Sequence, residues 1–171
     1  MEPLTGTFQI APADCGDAVE LAAVAAQTFP LACPPSVTAE NIASFVDANL
    51  SAAHFARYLA DPDRALVTAR RDGRIVGYAM LVRDSGADAA ELSKIYVLPE
   101  YHGGGASTAL MGLALATAGE WGARRVWLGV NQANERAQRF YLKSGFTING
   151  TRTFQLGTGV ESDYVMIREL G

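Results

Sequence analysis

The chain has 171 residues, about half of them apolar, and a formal net charge of −4. That length and apolar share suit one globular unit spanning 1–171 with a single core, and no linker, repeat or low-complexity stretch divides it. An acidic chain with dispersed Lys and Arg excludes a nucleic-acid binder and suits a small cationic partner, and without roughly 20 consecutive apolar residues it has no bilayer-spanning helix.

The opening Met1-Glu2-Pro3-Leu4-Thr5-Gly6 has neither the basic start nor the apolar run of a signal peptide, so a soluble cytoplasmic protein is expected. Cys15 and Cys33 have no metal-ligand spacing; no metal is expected, and both read as packing residues. From Asp14 the segment reads as an amphipathic helix. Asp14 is a candidate N-cap, Asp17 stands where a reciprocal cap would, and Leu21, Val24, Ala25 and Phe29 share one face, with Pro30 expected to end it. A second helix is expected from near Thr38, burying Ile42, Phe45 and Val46, and a short third one carries Phe55, Tyr58 and Leu59 ahead of Asp61-Pro62.

The pattern then turns to strands. Ala65 to Ala69 and Ile75 to Val82, joined at Asp72-Gly73, form an expected hairpin, and a turn from Asp84 to Asp88 leads into a strand from Glu91 to Pro99. The glycine turn Gly103-Gly104-Gly105 opens a helix from about Ala106 to Trp121, with Gly122 placed as its C′ residue. A strand from Arg125 to Val130 and a helix from Asn134 to Gly145 come next. Two or three strands around Phe146 to Ile148, Phe154 to Leu156 and Tyr164 to Ile167 close the chain, with Gly157 and Gly159 at the turn. This order predicts a mixed α/β sheet with helices on its faces.

Glycines at a strand-to-helix junction free the backbone and expose N–H groups at the positive end of the helix dipole, which suits a phosphate or pyrophosphate. The turn is not a P-loop, because no lysine follows Gly105, and a dinucleotide fingerprint would need a third glycine where Thr108 stands. Taken alone, the glycines leave a bare flexible turn as an equal alternative.

The run Glu91-Leu-Ser-Lys-Ile-Tyr-Val-Leu-Pro-Glu-Tyr-His-Gly-Gly-Gly-Ala-Ser-Thr-Ala-Leu-Met111 resembles the acetyl-CoA-binding motif of the GNAT acetyltransferase superfamily, a strand followed by Gln/Arg-x-x-Gly-x-Gly/Ala and a helix. Downstream, Val126-Trp127-Leu128-Gly129-Val130, Asn134 to Tyr141 and Ser144-Gly145-Phe146 resemble the superfamily's next motif. A closer similarity, to PaiA-type polyamine N-acetyltransferases, rests on Thr28-Phe29, Lys94-Ile95-Tyr96-Val97, Trp127 to Val130, and Phe154-Gln-Leu-Gly157 with Asp163 and Met166. The resemblance implies a GNAT fold, a mostly antiparallel twisted sheet of about six or seven strands flanked by helices, and transfer of acetyl from acetyl-CoA to a primary amine, with spermidine or spermine as the expected class. It also implies that Gly103, Gly104, Gly105, Ala106, Ser107 and Thr108 seat the pyrophosphate. Two positions depart from the pattern: His102 replaces the usual Gln or Arg, and Ser107 replaces a second small residue.

By the same resemblance, backbone groups of Ile95, Tyr96 and Val97 bind the pantetheine arm, the Val97 N–H polarises the thioester carbonyl, and Asn134 contacts the arm. Tyr141 protonates the departing thiolate. Glu91 matches the position of the general base in some members, and strict alternation would place it on one face with Ser93, Ile95 and Val97. The acceptor pocket is expected between the helical first third and the last hairpin, where Glu40, Asp47, Glu161 and Asp163 supply negative charge. Other acceptors stay open (a protein N-terminus, lysine, an amino acid, an aminoglycoside), as does a non-catalytic acetyl-CoA sensor. The strand-rich tail could pair with a second copy at a sheet edge or simply finish one sheet.

Overall fold

The computed structural model describes residues 7–84 and 86–171. The opening hexapeptide, and Ser85 within the turn expected at Asp84 to Asp88, lie outside the described residues. A strand that the sequence did not announce, β1 (Gln9–Pro12), is followed by α1 (Ala18–Ala32), α2 (Ala39–Asn49) and α3 (Ala52–Ala60). Then come β2 (Arg64–Arg71), β3 (Arg74–Asp84), β4 (Ala89–Val97), α4 (Ala106–Glu120), β5 (Arg125–Asn131), α5 (Glu135–Lys143), β6 (Thr147–Leu156) and β7 (Gly159–Glu169). The strand order is β1-β2-β3-β4-β5-β7-β6, and every neighbouring pair is antiparallel except β4 with β5.

Local chemistry accounts for most boundaries. The Asp14–Asp17 capping box forms, Thr38 and Ser51 cap α2 and α3 through their hydroxyls, and Gly122 takes a left-handed φ of 80° beyond α4. Pro30 does not stop α1, which runs on to Ala32. Its ring removes only one late hydrogen bond, while burial of Phe29 and its stacking on Phe45, centroids 4.6 Å apart, hold the last turn in place. Two of the expected closing strands are one: β6 runs unbroken from Thr147 to Leu156, bent by an extra residue at Asn149.

The sheet separates two cores. Leu92, Ile95, Val97, Leu110, Met111 and Leu128 belong to the cluster under α4 and α5, while Leu21, Phe55, Tyr78 and Met80 belong to the one under α1 and α3. Between them lies the feature that makes the site. The parallel pairing of β4 with β5 covers only Ala89, Ala90 and Glu91 against Arg125, Val126 and Trp127, after which β4 continues to Val97 and β5 to Asn131 without touching.

Candidate active site

The strands part where β4 carries a bulge. Met80 of β3 faces Lys94, but its neighbour Leu81 faces Leu92, so Ser93 is the extra residue. This corrects the expected alternation. Glu91 pairs with Val82, Lys94 with Met80 and Tyr96 with Tyr78, and partners across an antiparallel ladder share a face. Glu91, Lys94 and Tyr96 therefore stand together on the α1 side, while Ile95 and Val97 turn to the α4 side.

Backbone direction follows from the same ladder. The Leu98 N–H bonds Val76 O at 2.8 Å across β3, so alternation turns the N–H and C=O of Val97, and those of Ile95, away from β3 into the gap. The backbone groups of Tyr96 face β3 instead, so this residue offers the gap only its side chain, contrary to the backbone contact expected of it. His102 Nε2 donates to Val97 O at 2.8 Å, tying the glycine turn to the end of β4 and leaving the Val97 N–H as the free group of that residue. No local pattern announces this bond, since nothing marks a turn histidine as reaching back along the chain.

At the turn, Gly103 and Gly105 hold φ values of 84° and 91°, a region that L side chains resist. Gly105 is the N-cap of α4, and among the described residues no acceptor outside the helix takes the N–H groups of Gly103 to Thr108. This is a cradle of free donors at a helix N-terminus. Gly104 points elsewhere, and a Cβ there would meet the Phe8 ring at 3.2 Å.

These features open onto one cleft of about 910 Å³ that passes through the sheet at the gap. On the α4 side its wall includes Gly103, Gly105, Ala106, Ser107, Thr108, Asn134 and Tyr141, and on the α1 side Glu91, Lys94, Tyr96, Arg152, Glu161 and Asp163. Asn134 caps α5, its Oδ1 accepting from the Ala137 N–H at 3.1 Å. Tyr141 stands two turns along the same helix face, and burial pushes its phenol well above the usual tyrosine range. The acidic residues expected for the acceptor divide: Glu161 and Asp163 line the cleft, whereas Glu40 and Asp47 are exposed on α2 and do not.

Several lining residues escaped sequence reasoning. Arg152 lies across Gly129, where a Cβ would collide with its guanidinium, and its Nε bonds Asp163 Oδ2 at 3.3 Å. The guanidinium sits 5.6 Å from the Trp127 centroid and 5.9 Å from that of Phe154. Burial raises the Asp163 pKa despite this cation. Lys94 is half-buried, and desolvation pushes its ammonium down to about 8, with Glu91 opposing and Arg64 adding to the shift. Cys33 also lines the cleft, its thiol raised to about 11 by burial and then by Glu161, whereas Cys15 is exposed rather than packed. Among the described residues no cluster of His, Cys, Asp and Glu suits a metal, and no helix is long and apolar enough to cross a membrane.

Residues 30–146 match the model of the Acetyltransferase (GNAT) family. The chain is 71% identical over 154 residues to an uncharacterised N-acetyltransferase of Mycobacterium tuberculosis, covering 90% of this chain and 98% of that protein. Among solved structures, the PaiA N-acetyltransferase of Thermoplasma acidophilum in complex with coenzyme A shares the fold with a TM-score of 0.82 at 21% identity, covering 95% of this chain and 99% of that one. Nourseothricin acetyltransferase is 31% identical with a TM-score of 0.60, over 65% of this chain and 68% of its own.

Proposed function

The chain belongs to the acetyltransferase (GNAT) family and is an acetyl-CoA-dependent N-acetyltransferase, and we propose that it acetylates a primary amine of a small polycation, a polyamine such as spermidine or spermine, by direct attack in a ternary complex. The observation that carries this reading is the cleft through the sheet, with a donor cradle on one side and carboxylates on the other. The N–H groups of Gly103 to Thr108 seat the pyrophosphate, Ile95 and Val97 offer backbone groups to the pantetheine arm, and the amide nitrogen of Asn134 meets the same arm. A fixed N–H at Val97, aimed into the gap, stabilises the oxyanion that forms as the thioester is attacked; such a donor contributes on the order of 3 kcal/mol.

The acceptor enters from the α1 side. Phe45 lies 4.6 Å from Phe29 and 5.7 Å from Phe154 between centroids, an aromatic wall against which alkyl segments of a polyamine can lie. Glu91 and Glu161 draw its ammonium groups inward, and Glu91 is the carboxylate to which the sequence reading gave the proton. Tyr141, kept protonated by burial, hands its proton to the leaving thiolate.

An acceptor screen tests the proposal. Purified protein with acetyl-CoA is presented with spermidine, spermine, amino acids, an aminoglycoside and a peptide with a free N-terminus, and thiol release is followed. Turnover of spermidine or spermine is expected to exceed that of the others. Turnover confined to another class would replace the polyamine, and acetyl-CoA binding without turnover of any amine would favour a sensor.

A further inference from the structure

Lys94 and Lys143 are the only lysines in the chain, and one of them stands on the acceptor wall of the cleft. Alternation puts it there with Tyr96, and the bulge at Ser93 brings Glu91 onto the same face, beside the point where β4 leaves β5. Its Nζ reaches the Ser93 hydroxyl at 3.3 Å, a neutral partner, and among the described residues no carboxylate makes an ion pair with it. A half-buried lysine with no carboxylate in contact is costly to place, and a strand position facing a cavity could have been filled by an apolar residue at no such cost.

We propose that Lys94 is the general base of the reaction: its neutral amine takes the proton from the acceptor's ammonium, a role the sequence had given to Glu91. The inference rests on the acetyl-transfer reading and deepens it. An alkylammonium titrates near 10.4 in water, so the attacking nitrogen must lose a proton before it can react. Lys94 is deprotonated at a pH where the free acceptor is not, because burial holds its ammonium near 8. The proton moves from the acceptor nitrogen to Nζ, and the freed lone pair forms the C–N bond at the thioester carbon. As the tetrahedral adduct collapses, the C–S bond breaks and the sulfur takes the Tyr141 proton. The second nitrogen proton, lost as the amide forms, restores Tyr141, and Lys94 returns its proton to solvent. The sum is one ammonium and one thioester converted to amide, thiol and a released proton.

The charges that face Lys94 set the direction of each test. Glu91 on its own strand favours the ammonium, and Arg64 from β2 disfavours it. Across the cleft stand the Arg152–Asp163 pair and Glu161 from β6 and β7, with Cys33 at the C-terminal end of α1. Tyr96 and Tyr78 carry phenols raised by burial, so both stay neutral beside it.

The test is the pH profile of kcat at saturating acetyl-CoA with spermidine as acceptor, for wild type, Lys94→Arg, Lys94→Gln and Glu91→Gln. Wild-type kcat should rise with pH through about 8 as Lys94 loses its proton. Lys94→Arg, which keeps the charge but cannot give up the proton, should lose about 10²-fold in kcat together with that rise; Lys94→Gln should do the same if the arginine fails to fold. Glu91→Gln should move the rise to lower pH, because removing the carboxylate favours the neutral amine. If Glu91 is the base, the rise vanishes in Glu91→Gln and persists in Lys94→Arg, and the proposal falls. A second readout needs no acceptor. With ¹³C-lysine incorporated, only two ε-carbon signals exist, and the one absent from Lys94→Arg should titrate near 8; titration near 10.4 overturns the proposal. Failure of the polyamine reading is a separate result, no turnover of spermidine by wild type, and the profile is then taken with the amine that the screen identifies.

Discussion

In the proposed mechanism Tyr141 serves packing and chemistry with one side chain. Its ring lies 5.6 Å from that of Phe140 and 6.1 Å from that of Phe146, so aromatic contacts fix it in the wall of the cleft. Burial disfavours the phenolate, which raises the pKa and keeps the proton in place at neutral pH. Tyr141→Phe keeps the ring packing and removes the hydroxyl that carries the proton. The expected result is a loss in kcat of about 10²-fold or more with acetyl-CoA affinity close to wild type, measured by steady-state kinetics and calorimetry. Wild-type turnover in that variant would reassign the acid. Because the shift is upward, no falling limb from Tyr141 is expected in the wild-type profile below pH 10. The tyrosine was legible because the helix that bears it has a cap, a periodic face and a stop. The role of Lys94 was not, since strict period-two counting put Glu91 with Ile95 and Val97 and left Lys94 on the opposite face, away from the expected base.

That miscount belongs to β4 as an element. A bulge leaves no residue-type signature here: Ser93 is neither glycine nor proline, and the register shift shows only against β3. One inserted residue moved Glu91 from the α4 face expected of it to the α1 face, beside Lys94 and Tyr96. The elements around it were far more readable, because caps, turn glycines and apolar periodicity are local. Even so, β1 was missed for its shortness, and the unity of β6 was hidden by the bend at Asn149. The glycines of the turn before α4 were legible, though the His102 bond that ties the turn to β4 was not, and the turn yields a clean prediction. An added Cβ at Gly105 meets nothing within 4 Å, so the whole cost of Gly105→Ala is the strain of holding φ at 91°. About 1–2 kcal/mol is expected, or a Tm lower by roughly 2–8 °C, with a higher KM for acetyl-CoA as the N–H cradle relaxes. Thermal unfolding and kinetics on the same preparation check both parts.

Across the whole molecule, charge and architecture divide the labour. The chain is net −4, yet Arg136, Arg139 and Lys143 of α5 line the cleft on the side of the glycine turn. On the proposed seating a polyphosphate donor would meet local positive potential on an acidic protein, and a cationic acceptor would meet the acidic residues on the opposite side. Raising ionic strength from 0.01 to 0.15 M shortens the screening length from about 30 to about 8 Å and should raise the KM for acetyl-CoA. An acetyl-CoA KM indifferent to salt would mean that α5 plays no part in attraction.

The short seam between β4 and β5 has one more consequence. An uncovered strand edge on a protein surface recruits other strands, and most sheets hide theirs. Here two such edges face each other inside the sheet, between the helices packed on its two faces. Only something as slender as a single extended strand, with amides spaced to meet both edges, can pass between. On the proposed seat the pantetheine arm fills that role, so β4 and β5 become continuous through their substrate. The enzyme's sheet is then completed by each molecule it consumes.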